Sequence, residues 1–359
     1  MWPYWFLFLV PAWLAMTRLR PVSSVGSPAG RWPGWWRAVF VLLVLMIGLR
    51  HQVGGDWVTY VEHITTASYE TLLGALGLGD PAYSLLNWLA AKTGLGPYFV
   101  NTVCAAIFSW GLVVFCRAQP RPWLALVVAI PYLVTVVAMG YTRQGTAIGL
   151  AVLGLVALSE RKLLRFAVFV VLAGLFHKSA IMLMPLAVLS GTRSRGWTLL
   201  WVGVSSAVFY VLLLQESVDS LTAGYITAQY QSQGAAIRVA MNVVPAVLFL
   251  WLRRRFVMPQ VDRMFWTWMS LGALGFVGWL AVSSSSTAVD RVALYWIPLQ
   301  LFVFSRLPNA LGKPNGRNSA LVRLVVAYSA TVLFVWLVFA QTAFAWLPYQ
   351  FYPWVAVWG

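Results

Sequence analysis

The sequence predicts an all-α, polytopic membrane protein. Of its 359 residues, 61% are hydrophobic and only 9% are charged, whereas an ordinary soluble domain carries roughly 25% charged residues. A chain with so few charges cannot cover a folded surface with polar groups. Its 21 tryptophans fit the aromatic belts that form where a membrane meets water. We therefore expect one transmembrane domain over residues 1–359 and no separate soluble domain.

Hydropathy predicts about twelve membrane-spanning helices. They are expected at residues 2–16, 36–49, 97–116, 123–140, 144–159, 164–176, 179–192, 197–214, 239–252, 264–282, 292–305 and 320–340. The first segment has no basic residues before it and is followed by Arg18 and Arg20. This pattern favours a retained helix over a cleaved signal peptide.

Arginine and lysine divide unequally between the predicted loops. When alternate loops are assigned to opposite faces, 19 of the 25 cations fall on one face. The other face carries seven of the nine acids and six cations, which are Arg50, Lys92, Arg143, Lys178, Arg238 and Arg291. The positive-inside rule makes the first face cytoplasmic, so both termini are expected on the external, periplasmic side. The net charge of +16 is then mainly an orientation signal, and no nucleic-acid partner is expected.

The longest predicted connections lie on the external face. They cover residues 50–96 and 215–238, with a terminal tail at 341–359. Binding and catalytic residues concentrate in loops that a rigid scaffold holds in position. We expect these three segments to form the active-site face.

Four of the external cations are predicted where a cation is disfavoured, within or beside the first turn of a helix that runs inward. They are Arg143, Lys178, Arg238 and Arg291. The helix dipole is already positive at that end, and a bound anion would explain the placement, because helix N-termini and arginine forks both bind phosphate oxygens. The pattern predicts a phosphate or diphosphate ligand, with Arg50 as a fifth candidate contact. The alternative for each residue alone is contact with lipid headgroups.

Two residues are candidates for a general base. His177 directly precedes Lys178, and Asp56 follows Gly54 and Gly55, which permit a sharp bend towards the membrane. A structural histidine and a turn-capping aspartate are the alternative interpretations. Asp290, next to Arg291, is expected either to orient that guanidinium or to form a local ion pair.

Other enzyme motifs are absent from the sequence. It contains no H-E-x-x-H, no P-loop, no G-x-S-x-G and no paired carboxylates at metal spacing. We therefore expect neither a metal nor a cofactor, with arginines supplying the charge neutralisation that a divalent cation would otherwise provide.

Short motifs along most of the chain resemble the EpsG family, which groups with the Wzy-type polymerases of bacterial exopolysaccharide and O-antigen. The motifs are Arg50 to Tyr60 with Val-Gly-Gly-Asp-Trp at 53–57, Asp-Pro-Ala-Tyr at 80–83, Arg-Gln-Gly-Thr-Ala-Ile at 143–148, Phe-His-Lys-Ser-Ala at 176–180, Asp290-Arg291 with Tyr295, and Trp-Leu-Pro-Tyr at 346–349. They occur in the order that the family leads us to expect.

The resemblance implies a GT-C-like glycosyltransferase in the bacterial cytoplasmic (inner) membrane. Its donor and acceptor would be undecaprenyl-diphosphate-linked glycans, used on the external face, and Gln144 and Tyr60 would support the site. Membrane lipids, flippase proteins and chain-length regulators are candidate partners. An O-antigen ligase-type transferase is one alternative, and a lipid-linked oligosaccharide flippase or transporter is another.

Overall fold

The computed structural model describes residues 1–21, 31–185, 200, 204, 234–283, 286–313 and 315–358. Within these residues the regular structure is helical, and the β-structure is limited to an isolated bridge between Arg50 and Phe351. The predicted all-α class is therefore confirmed for the described part of the chain.

The described part of the first half of the chain contains nine α-helices. They are α1 (Trp2–Thr17), α2 (Gly34–Gly48), α3 (Trp57–Ser68), α4 (Leu72–Leu76), α5 (Pro81–Thr93), α6 (Gly96–Arg117), α7 (Pro122–Ala129), α8 (Thr142–Ser159) and α9 (Leu163–Phe176). A π-helix (Ile130–Ala138) continues α7, and a 3-10 helix (Lys178–Leu183) follows α9.

The second half contributes six more α-helices to the described residues. They are α10 (Ala235–Leu252), α11 (Gln260–Val282), α12 (Ser286–Ala293), α13 (Ile297–Leu311), α14 (Ser319–Phe339) and α15 (Tyr352–Trp358). Short 3-10 turns at Leu294–Trp296 and Ala343–Trp346 lead into α13 and the terminal tail.

Among the described residues, five helices are long and apolar enough to cross a membrane: Gly96–Arg117, Thr142–Ser159, Ala235–Leu252, Asp262–Val282 and Ser319–Phe339. Shorter apolar helices occupy Gly34–Gly48, Pro122–Ala138 and Leu163–Phe176. Length and composition thus support a helical membrane protein, while the count of twelve spans stays a prediction. The helix predicted at 179–192 begins as the 3-10 helix Lys178–Leu183, and its residues 186–192 lie outside the described residues, as does the helix predicted at 197–214 apart from Leu200 and Val204.

Helix α8 forms the centre of the bundle. It packs against α6 on one side and α9 on another, and nearly all of its residues are buried. The approach to α6 requires glycine, because a Cβ on Gly149 would lie 2.5 Å from the backbone of Phe108. Close backbone contact between small residues is the common way in which membrane helices associate. Its N-terminal residues, Thr142 to Gln144, are therefore held in a fixed position.

Two of the three long connections meet at the end of the bundle where α8 begins. Residues 50–96 fold into α3, α4 and α5, and the terminal tail lies against their first residues. The Gly54 amide donates to the Ala345 carbonyl at 2.8 Å, and the His51 amide donates to the Gln350 carbonyl at 2.9 Å. Gly54 has a φ of +106°, which a residue with a side chain rarely adopts. Of the third predicted connection, 215–238, residues 215–233 lie outside the described residues and 235–238 form the first turn of α10.

Candidate active site

The ion pair between Arg143 and Asp80 lies at the centre of the candidate site. Arg143 is the second residue of α8, and its Nη1 lies 3.1 Å from Oδ2 of Asp80. Asp80 precedes α5, but its carboxylate makes no cap hydrogen bond with that helix. The other carboxylate oxygen accepts from the Lys178 backbone amide at 3.3 Å. One carboxylate thus joins α5, α8 and the turn after α9.

A cavity of about 250 Å³ opens beside this ion pair. Arg143, Asp80, Tyr83, Asn87 and His63 are among the residues that line it. The Arg143 guanidinium lies 5.8 Å from the centre of the Tyr83 ring, within the range of a cation-π contact. Burial lowers the pKa of His63, and Arg143 lowers it further. The cavity is therefore lined by an ion pair, a neutral imidazole, an aromatic ring and an amide group.

Asp56 lies on the same cluster, at the start of α3. It occupies the N-cap position of that helix without making the side-chain cap bond, so the turn-capping interpretation does not hold. The Tyr60 hydroxyl of α3 donates to the Gly140 carbonyl at 3.5 Å and accepts from the Thr142 amide at 2.9 Å. Burial raises the pKa of Asp56 above its ordinary value, while Arg143 and Arg291 oppose the shift. The Asp56 carboxylate therefore lies within electrostatic reach of both arginines.

Arg291 is exposed at the edge of the cluster. The Gln144 side chain donates from Nε2 to the Arg291 carbonyl, which fixes this part of the backbone against the start of α8. The sequence predicted Arg291 beside the first turn of the helix at 292–305, but it lies in the last turn of α12. The prediction was wrong because residues 286–293 form a separate polar helix. The low hydropathy of this segment had indicated a loop.

Asp290 has a different partner from the one expected. Its carboxylate forms an ion pair with Nε of Arg238, in the first turn of α10. The other side of this guanidinium donates from Nη1 to the Tyr132 hydroxyl at 3.2 Å. Tyr132 belongs to the π-helix, a rare element that is frequently found at functional sites. Arg238 is therefore held between α12 and the π-helix.

His177 lies on the buried side of the cluster. Its ring centre is 6.2 Å from that of Tyr295, and its buried Nδ1 has no hydrogen-bond partner among the described residues. Burial lowers the pKa of His177 to about 3, with Arg143 and Arg291 contributing. The imidazole is neutral at pH 7 and a poor acceptor of a proton.

Arg50 is the candidate whose surroundings differ most from the expectation. Its side chain is fully buried and donates to four neutral acceptors: the carbonyls of Ile47 and Val53, Oδ1 of Asn101, and Oγ1 of Thr142 at 2.7 Å. A guanidinium with these partners connects α2, α6 and α8. We therefore assign Arg50 to the scaffold that holds α8.

The structure brings together Asp56, His177, Arg143, Arg238, Arg291 and the backbone of Lys178. The sequence did not single out Asp80, Tyr83 or His63. Asp80 and Tyr83 belong to the Asp-Pro-Ala-Tyr motif that resembles the EpsG family, and this motif was the feature that could have identified them. His63 lies in an amphipathic segment that carries no such motif. Three arginines of this cluster, Arg143, Arg238 and Arg291, lie with three carboxylates, Asp56, Asp80 and Asp290, so the site is more nearly neutral than the cation pattern suggested.

Comparison with known families decides where this chain belongs. The model of the EpsG family matches residues 35–351, nearly the whole chain. The chain belongs to the EpsG family. No curated protein and no solved structure is similar enough to count as a match. EpsG membership, with the apolar helices, makes this a membrane protein of the exopolysaccharide polymerase type. Every residue of the candidate site lies inside the matched range.

Proposed function

We propose that this EpsG protein is a glycosyltransferase that polymerises undecaprenyl-diphosphate-linked repeat units into an exopolysaccharide, capsule or O-antigen. A hydroxyl oxygen of the acceptor sugar bonds to the anomeric carbon of the donor glycan. The bond from that carbon to the diphosphate breaks, the hydroxyl proton passes to a base, and undecaprenyl diphosphate leaves. The observation that carries the proposal is the Asp56 carboxylate, which lies within the electrostatic reach of both Arg143 and Arg291.

The cations stabilise the leaving diphosphate. As the glycosidic bond breaks, charge gathers on the phosphate oxygens, and preorganised donors lower the energy of that state. Arg143 is about one-third exposed and Arg291 is exposed, so an incoming diphosphate can reach both. Arg238 and Lys178 add positive charge from the same end of the bundle. We assign charge neutralisation to these cations, in place of a divalent metal.

Asp56 is the base in this proposal. A diphosphate needs no acid to protonate it, so one group that accepts the hydroxyl proton is sufficient. The raised pKa of Asp56 makes it a stronger base than an ordinary carboxylate. His177 has a pKa lowered to about 3 and a buried ring nitrogen, and both properties make it the weaker candidate.

The geometry favours a transferase over a transporter. A transporter needs ionisable groups near the middle of its helices, along the path of the substrate. Arg143 and Arg238 instead lie in the first turns of α8 and α10, and Arg143 contacts Asp80 of segment 50–96. We place this end on the external side of the cytoplasmic membrane with both termini, in a GT-C-like arrangement. Flippase and chain-length regulator proteins would then act as partners.

Reconstitution in vesicles with lipid-linked repeat units tests the proposal. The wild type is expected to give a ladder of polymer lengths, and Asp56→Asn is expected to slow its formation about 10³-fold, the middle of the range for loss of a general base. Glu70→Gln, an acid of the same segment, is the matched control. A single added unit would indicate an O-antigen ligase-type transferase. Transport of unmodified substrate, or a ladder from Asp56→Asn at the wild-type rate, would overturn the proposal.

A further inference from the structure

A second and larger cavity lies at the opposite end of the helices that form the candidate active site. Its volume is about 520 Å³, within the range of sites that bind small molecules. Ser159 at the end of α8 and Pro259 before α11 both line it. Because α8 has 18 residues, the two cavities are about 25 Å apart. The proposed glycosyl transfer makes no use of this second cavity.

Arg306 of α13 supplies the polar end of the cavity. Its guanidinium lies over the Phe302 ring, 4.5 Å from the ring centre, and its Nε donates to Oε1 of Gln119 at 3.2 Å. Within the described part of the chain, no ion pair includes Arg306 and no hydrogen bond uses its two terminal nitrogens. Stacking and the single bond therefore fix a guanidinium whose paired donors remain available to a ligand.

The ligand that this guanidinium fits is an oxyanion. The planar fork of arginine matches the spacing of two oxygens on one phosphate or carboxylate, and a stacked guanidinium loses little conformational freedom when it binds. A phosphate diester presents two such oxygens on one phosphorus.

The rest of the cavity is largely apolar. Phe115, Leu155, Phe265 and Trp266 are among its lining residues. Val257, which also lines the cavity, is 81% exposed and lies in the connection between α10 and α11, shortly after the exposed Arg253, Arg254 and Arg255. The cavity therefore opens to the surface beside cationic residues, where a lipid headgroup can lie, and its aromatic wall suits the first carbons of an acyl chain.

A carboxylate sits close to the phosphate position. Asp262 lines the same cavity and lies within electrostatic reach of Arg306. Glu160, the other acid of the lining, is already paired with Lys162 at 2.6 Å. A headgroup that carries an ammonium next to its phosphate would place one charge on each of Arg306 and Asp262.

We propose that this cavity binds an aminophospholipid from the leaflet at the cation-rich end of the bundle. Its phosphate contacts Arg306, its ammonium contacts Asp262, and the start of an acyl chain lies on the aromatic wall. The site would fix the ends of α8, α11 and α13 against each other, far from the diphosphate.

The test is the lipid retained by the protein. The full chain is reconstituted in vesicles of equal parts phosphatidylethanolamine and phosphatidylglycerol, extracted in mild detergent, and analysed by mass spectrometry. We expect about one retained phosphatidylethanolamine per chain, because a cavity of this volume has room for one headgroup. Arg306→Gln should lower this amount about tenfold, the effect of losing one charge-assisted contact. Arg323→Gln, an exposed cation at the same end, is the matched control and should retain lipid like the wild type.

Asp262→Asn separates the two halves of the proposal. Without its carboxylate the site keeps the phosphate contact, so lipid should still be retained, but the preference for phosphatidylethanolamine should disappear. This measurement stands on its own if Arg306→Gln does not fold. The proposal is overturned if the wild type retains both lipids in the vesicle ratio, if Arg306→Gln retains as much as the wild type, or if Asp262→Asn keeps the preference.

Discussion

Arg50 and Arg143 meet at the first residues of α8 but have opposite surroundings. Arg50 is fully buried and donates to four neutral acceptors, including Thr142, the residue before Arg143. Arg143 is about one-third exposed and has a carboxylate partner, Asp80. A guanidinium saturated by fixed neutral groups can only hold helices together. A guanidinium that is paired with a carboxylate beside a cavity can exchange that partner for an anionic substrate. We therefore expect Arg50 and Arg143 to respond differently to the same substitution.

The largest expected effect is on stability, from Arg50→Gln. The substitution leaves buried acceptors on α2, α6 and α8 without donors, and each unsatisfied group costs about 1–3 kcal/mol. We expect the free energy of unfolding to fall by at least about 3 kcal/mol, because several acceptors are affected together. Thermal unfolding in detergent measures the change, with Arg323→Gln as the control. A melting temperature equal to that of the wild type would contradict the scaffold assignment.

Arg143→Gln should act on catalysis instead. Removing one preorganised cation from a developing negative charge typically lowers the rate about 10²-fold, and the melting temperature should change little, since a partly exposed ion pair contributes up to about 1 kcal/mol. Arg143→Lys should recover part of the rate, because it keeps the charge but loses the fork. The polymer formed per minute by reconstituted protein is the readout. Equal rates for Arg143→Gln and wild type would remove Arg143 from the site.

The smallest effect concerns His177 and pH. Its pKa is about 3 in the folded protein and 6.5 ordinarily, so between these values only the unfolded chain takes up the proton. The stability contributed by neutral His177 is complete above pH 6.5 and is lost as the pH falls. Between pH 7 and pH 5 we expect a loss of roughly 2 kcal/mol. His177→Asn should show a weaker dependence when unfolding is measured at both pH values, and an unchanged dependence would contradict the buried neutral imidazole.

The sequence was sufficient for the positions of the long helices and for most of the cation cluster. Apolar runs of spanning length identify helices such as α6 and α14 directly, because a membrane helix must satisfy its backbone hydrogen bonds internally. Arg143 and Arg238 were recognisable because a cation is unusual in the first turn of a helix.

The pairing of these cations was not predictable from local pattern. Asp80 contacts Arg143 across 63 positions of the chain, and only the packing of α5 against its neighbours decides this. The polar helix α12 has too few apolar residues for hydropathy to detect, so the place of Arg291 was misjudged. Arg50 carries the same charge as Arg143 and follows a predicted span, and only its burial separates the two roles.

A structure with an undecaprenyl-diphosphate-linked sugar bound would test the central claim most directly. The account predicts the diphosphate within hydrogen-bond distance of the Arg143 and Arg291 guanidinium groups, with the Arg143–Asp80 contact lengthened and Asp56 facing the anomeric carbon. Arg50 should keep its four neutral acceptors. A diphosphate bound elsewhere, with Arg143 still on Asp80, would contradict the account.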